Sequence, residues 1–69
     1  MHRFIIKRDG KPVKDRGSVV HVSDDEVLAL ENAKSIFADD LQKRDGYSDF
    51  YEEYYKTSCN AAWEVYQID

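Results

Sequence analysis

The side chains with which chemistry could begin are few: two histidines, one cysteine and several adjacent carboxylates in 69 residues. His21 near Asp24 and Asp25 has the residue types of a metal site. A strand running into a helix does not converge these groups, however, and a third good ligand is missing. His21 is flanked by Val20 and Val22 and is expected to be a hydrogen-bonded structural histidine, while His2 sits beside the start. Cys59 with His21 as its base would be a thiol nucleophile, but the local signature of such a site is absent. Cys59 is expected as a buried or turn thiol. Asp24/Asp25, Asp39/Asp40 and Glu52/Glu53 are neighbours in sequence, and helix neighbours point about 100° apart, so they are not catalytic dyads. Gly10, Gly17 and Gly46 fall in three separate turns, so no glycine-rich phosphate loop forms. The chain is expected to be non-catalytic, with no metal and no cofactor.

What remains is charge and aromatic surface. The net charge of −4 hides an asymmetry. Residues 1–16 carry Arg3, Lys7, Arg8, Lys11, Lys14 and Arg16 against Asp9 and Asp15, a net of +4, whereas residues 17–69 carry four basic and twelve acidic side chains, a net of −8. Such a layout bears on partners rather than on fold. The basic stretch could grip a phosphate backbone. It lacks interleaved aromatics for base stacking, and a lysine-rich edge also serves to discourage sheet-to-sheet aggregation. The acidic stretch from Asp39 to Glu53 overlaps a run of five aromatics in nine residues, Tyr47, Phe50, Tyr51, Tyr54 and Tyr55. One short helix cannot fully bury that many rings. Tyrosines at the margin of an acidic face are good anchors for a partner; the plainer reading makes the rings core and the acids a solvated surface.

The elements that must position these groups are organised around Ser23 to Arg44. Ser23-Asp24-Asp25-Glu26 has the form of a capping box, and Val22 and Val27 are placed to staple it. Lys43 and Arg44 suit the C-terminal end of a helix dipole, and Gly46 supplies the left-handed residue that closes a helix. Leu30, Ala33, Phe37 and Leu41 form one apolar stripe, flanked by Ala29, Ile36 and Val27. Glu31, Asn32, Ser35, Asp39 and Gln42 form the solvent face, with Leu28 exposed on it.

Before the helix, strands are expected at about 2–8 and 18–22, with Phe4 and Ile6 inward on the first and Val20 and Val22 inward on the second. Asp9-Gly10 is a tight-turn signal. If it closes a two-residue hairpin, Arg8 pairs with Lys11 and Ile6 with Val13. Pro12 then confines that limb to a short or edge strand, so residues 9–16 are expected as a mobile basic connection with a third strand near 11–14 as the alternative. After the helix, the aromatic spacing predicts a second helix over about 48–57, with Asp49, Glu52, Glu53 and Lys56 outward. A polar turn at 57–60 follows, then a strand from Ala61 to Ile68. That strand is apolar on both sides, which calls for helices on one face and some cover on the other.

The expected fold is one α+β domain over 1–69, ββα(α)β. Its three-stranded, mainly antiparallel sheet has order 2-1-3, with one long and one short helix packed on one face. The longest aliphatic or aromatic run is Phe4-Ile5-Ile6, too short for a signal peptide or membrane span. One cysteine permits no internal disulfide, which suits the reducing cytoplasm. The expected function is that of an acidic protein-binding or inhibitor module whose carboxylates imitate a phosphate backbone and block a basic nucleic-acid-handling protein. Small proteins of phages and other mobile elements, anti-CRISPR proteins among them, work in this way. The partner surface is placed at Asp39, Asp40, Asp45, Asp49, Tyr51, Glu52, Glu53 and Tyr55. The alternatives are a nucleic-acid-binding accessory protein that uses the basic hairpin, and a structural homodimer subunit.

Overall fold

Two glycine turns set the first third of the chain. In the computed structural model, which describes residues 1–46 and 50–69, strand β1 (His2–Arg8) turns through Asp9-Gly10 into β2 (Lys11–Pro12). Both turn residues have positive φ, 50° and 82°, the combination a type I′ hairpin requires. The register follows: Arg8 opposes Lys11, Lys7 opposes Pro12, and the Val13 N–H donates to the Ile6 carbonyl. Pro12 therefore falls at a position where the ladder asks for no N–H. A second turn of the same kind occupies Arg16-Gly17, at φ 51° and 83°, and Asp15 and Ser18 exchange backbone hydrogen bonds of 2.8 and 3.0 Å across it.

The basic connection is thus a double hairpin rather than a loose loop. Val13 is buried in the core, Asp9 exchanges two hydrogen bonds with the backbone of Ala62, and the alternative of a short strand near 11–14 is the one realised.

Strand β3 (Val20–Ser23) runs antiparallel to the first half of β1, and β4 (Trp63–Gln67) runs antiparallel along its other side. The central strand is therefore β1, with β2 and β3 along one edge and β4 along the other, as expected for the order 2-1-3. The phase of β3 differs by one residue from expectation. Phe4 opposes His21, so the histidine faces inward, buried and hydrogen-bonded through Nε2 to the Val13 carbonyl at 2.7 Å. Val22 is 57% exposed on the outer face, with Val20 half-buried beside it. The pleat allows only one of the two sets inward, and the buried carbonyl of Val13 needs a donor that valine cannot supply.

Helix α1 (Glu26–Arg44) lies on the inner face of this sheet. Phe4, Ile6, Val13, Ala29 and Ala33 form the core, with Leu30, Ile36, Trp63 and Val65 packed against it. Alanines at 29 and 33, one turn apart, let the helix axis approach the strands closely; Phe4 and Ile6 then each bury a side chain worth roughly 1.5–3 kcal/mol.

The N-cap is Asp25, whose carboxylate accepts from the Leu28 N–H at 2.8 Å. Ser23 is not the cap, because pairing with His2 draws it into β3. Val22 and Val27 are both exposed, so neither serves as a buried staple. The helix ends as its sequence predicts, with Lys43 and Arg44 in the last turn and Gly46 at φ 75°.

Helix α2 (Tyr51–Cys59) lies on the same side of the sheet and packs chiefly against α1. It begins and ends later than its aromatic spacing suggests: Thr57, Ser58 and Cys59 form its last turn rather than a polar loop. Ser58 is the reason. It is fully buried, its hydroxyl donates to the Lys34 carbonyl at 2.8 Å, and its own carbonyl accepts from Trp63 Nε1 at 2.8 Å. One small residue thereby ties α2 to α1 through its hydroxyl and to β4 through its carbonyl. The expected restart at Tyr47-Ser48, and Asp49, lie outside the described residues.

Candidate functional site

Helix α2 covers part of the α1 side expected to face solvent. Tyr55 donates to the Glu31 carboxylate at 2.6 Å, and Tyr54 to the Asp45 carboxylate at 2.9 Å. Ser35 is half-buried and, with Tyr51, Glu52, Tyr55 and Lys56, lines a largely apolar groove of about 470 Å³ between the helices. A second hollow of about 230 Å³ is lined by Phe50, Tyr51, Glu52 and Glu53. Tyr51 and Glu52 are common to both hollows and form the ridge between them.

The rings of Tyr51 and Tyr55 stand 6.5 Å apart, tilted by 31°, and Phe50 keeps 70% of its surface exposed. The aromatics are thus shared between packing and surface: Tyr51, Tyr54 and Tyr55 are half-buried, and the hydroxyls of Tyr54 and Tyr55 each reach a carboxylate.

Glu52 and Glu53 are exposed, and Lys56 reaches Glu53 at 3.6 Å, the i,i+3 partner rather than the i+4 one. Such an exposed pair is worth little. Hydrogen bonding to Glu31 is the main reason the Tyr55 phenol is pushed up to about 12. Losing the phenol proton beside that carboxylate would leave two anions sharing one site, so the hydroxyl stays a donor.

The expected surface residues divide between two places. Tyr51, Glu52, Glu53 and Tyr55 come together on α2. Asp39, one turn from Ser35 and exposed, stands on the groove side of α1. Asp45 is the C-cap of α1 and is engaged by Tyr54. Asp40 is on the opposite flank, in a hollow lined with Arg8, Pro12, Val13, Lys14, Phe37 and Arg44. Glu31, Ser35 and Phe50 join the surface without having been singled out for it. Glu31 was placed on a solvent face because periodicity reports one buried stripe and cannot show a second helix laid beside it.

The basic residues do not form one patch. Arg3 and Lys7 alternate with Phe4 and Ile6 and so point to the outer face of the sheet, where Lys7 lies over the Tyr66 ring. Arg8 points inward and stacks on Phe37, 4.0 Å from the ring centroid. Lys11 and Lys14 are exposed along the hairpin, and Arg16 is at its second tip. The outer face also carries Ile5, Val20, Val22, Tyr66 and Ile68, and no described element covers it.

His21 is turned into the core, away from Asp25, which caps the helix, and Cys59 is an exposed free thiol at the end of α2 rather than a buried one. Among the described residues no group of three His, Cys, Asp or Glu side chains could hold a metal ion. No described helix is long and apolar enough to cross a membrane.

Comparison with protein-family models, curated proteins and solved structures gave no match to this chain. The functional reading rests on its own residues.

Proposed function

We propose that this chain is a non-catalytic protein-binding module of the inhibitor type, acting in the cytoplasm. It presents the α2 surface to a basic groove of a nucleic-acid-handling protein. The observation that carries the reading is the ridge of Tyr51 and Glu52 between two hollows, with Glu53, Asp39 and Glu31 around it. Aromatic anchors desolvate well and resist dissociation, while surrounding carboxylates steer a cationic partner and compete with phosphates for it. A phage or mobile-element protein that blocks a defence nuclease is the class this combination fits.

The test is affinity capture from a nuclease-treated host lysate by the wild-type chain and by the Glu52→Lys/Glu53→Lys variant. Association and dissociation rates of the captured partner are then measured at two salt concentrations. The double variant should associate at least tenfold more slowly and with a flatter salt dependence, and Tyr51→Ala should speed dissociation. Equal rates for a normally folded double variant, or a captured partner without a basic surface, would overturn the proposal.

A further inference from the structure

The hollow on the other flank of α1 has no part in that surface. It holds about 230 Å³, and three cations line it from three separate segments: Arg8 at the end of β1, Lys14 beyond β2 and Arg44 at the end of α1. Each has a local reason to exist. Arg44 suits the helix C-terminus, Lys14 suits an exposed hairpin, and Arg8 covers the Phe37 ring. None of these reasons explains their convergence on one concavity.

Lys14 and Arg44 are not neutralised by Asp40. Among the described residues Lys14 and Arg44 make no hydrogen bond or ion pair, and Asp40 is within ion-pair distance of none of the three. Arg8 is fixed in place, pinned on Phe37 and held by Asp9 at 3.3 Å, and its Nε–H is buried with no acceptor. With Asp9 paired to Arg8 and Asp40 in the wall, three cations against two carboxylates leave a local charge of +1 on a chain whose net charge is −4.

The geometry points to a binding site for a single small dianion, a phosphate monoester, held by Arg8, Lys14 and Arg44. A fixed guanidinium with two flexible cations beside it is suited to a compact multi-oxygen anion. Lys14 and Arg44, the two cations with no ion pair, match the two charges of a phosphate monoester, where a carboxylate or a phosphodiester carries one. A nucleic-acid strand is disfavoured by the placement of the other cations: Arg3 and Lys7 lie on the outer sheet face and Arg16 at a hairpin tip, so no stripe tracks a backbone. Asp40 in the wall sets an upper limit on the anion's charge and gives the site a carboxylate whose removal has a defined sign.

The experiment is a titration followed by backbone amide shifts, at constant ionic strength. Its probes are inorganic phosphate, ribose 5-phosphate, acetate and a short DNA duplex. Both phosphates should saturate, with shifts confined to residues 8, 13–14 and 37–44. Lys14→Ala and Arg44→Ala should each weaken binding about tenfold, Asp40→Asn should tighten it, and Lys7→Ala should change nothing. Far-ultraviolet circular dichroism and melting temperature confirm that these exposed substitutions leave the fold intact. Phosphate shifts that do not saturate, acetate binding as tightly, or equal shifts at Lys7 and Arg16 would overturn the site. A DNA duplex that binds more tightly than ribose 5-phosphate would also overturn it, in favour of a strand-binding surface.

Discussion

The two flanks of α1 solve the problem of surface charge in opposite ways. On the α2 flank, tyrosine hydroxyls donate to Glu31 and Asp45. A neutral donor satisfies a carboxylate without pairing it with a cation, so order on this flank does not depend on ion pairs at Glu31 and Asp45. On the hairpin flank, cations converge beside a carboxylate and stay unpaired with it. The first arrangement is complete in itself, and in the second Lys14 and Arg44 have no ion-pair partner among the described residues. Chain-wide charge cannot show this difference, because it depends on which groups are given neutral partners.

Core loss tests whether the flanks belong to one cooperative unit. Ile6→Ala should cost about 2–5 kcal/mol, lowering the melting temperature read at the aromatic signals of both flanks together. Separate transitions at Tyr55 and at Trp63 would break the comparison at its root.

Substitutions local to one flank are smaller. His21→Leu keeps apolar volume but strands the Val13 carbonyl, and should cost about 1–3 kcal/mol, with amide exchange accelerating over residues 13–18. Ser58→Ala removes the hydroxyl tie to Lys34 and should cost about 1 kcal/mol, loosening α2 while leaving the hairpin protected. Exchange patterns that do not separate in this way would show that the flanks are mechanically coupled. Arg16→Gly should raise stability by roughly 1 kcal/mol, since arginine in the left-handed region is strained where glycine is not; chemical denaturation reads the gain.

The finest test is spectroscopic. One phenol should ionise near 12 in an ultraviolet pH titration, and Glu31→Gln should bring it down. The sign is that of a folded pKa raised above the unfolded value. The stabilisation is fully present below about 10 and is lost as pH rises through the folded value.

Much of the fold was legible, and the misses have identifiable causes. Asp9-Gly10 and the Phe4/Ile6 alternation set the hairpin register because turn type and pleat leave one solution. The helix start was displaced because Ser23, Asp24 and Asp25 are all competent caps, and only pairing with His2 decides among them. The phase of β3 was misassigned because hydropathy ranks valine above histidine, whereas a buried carbonyl thirteen residues into the chain ranks them the other way. The aromatic and acidic part of the candidate surface was visible as local spacing. The cationic hollow was not, since Arg8, Lys14 and Arg44 meet only after the hairpin folds over the end of α1.

The central position of β1 has a consequence for how the chain is born. Phe4 pairs with Gln67 and the Ile68 N–H donates to the Arg3 carbonyl. On the ribosome, β1 waits for β4: until residues 63–68 clear the exit tunnel, one edge of β1 presents unpaired backbone. The cations that flank Phe4-Ile5-Ile6, Arg3 on one side and Lys7 and Arg8 on the other, then act as gatekeepers against misassociation during synthesis. High sequence separation of this kind also makes closure of the sheet the slow step of folding.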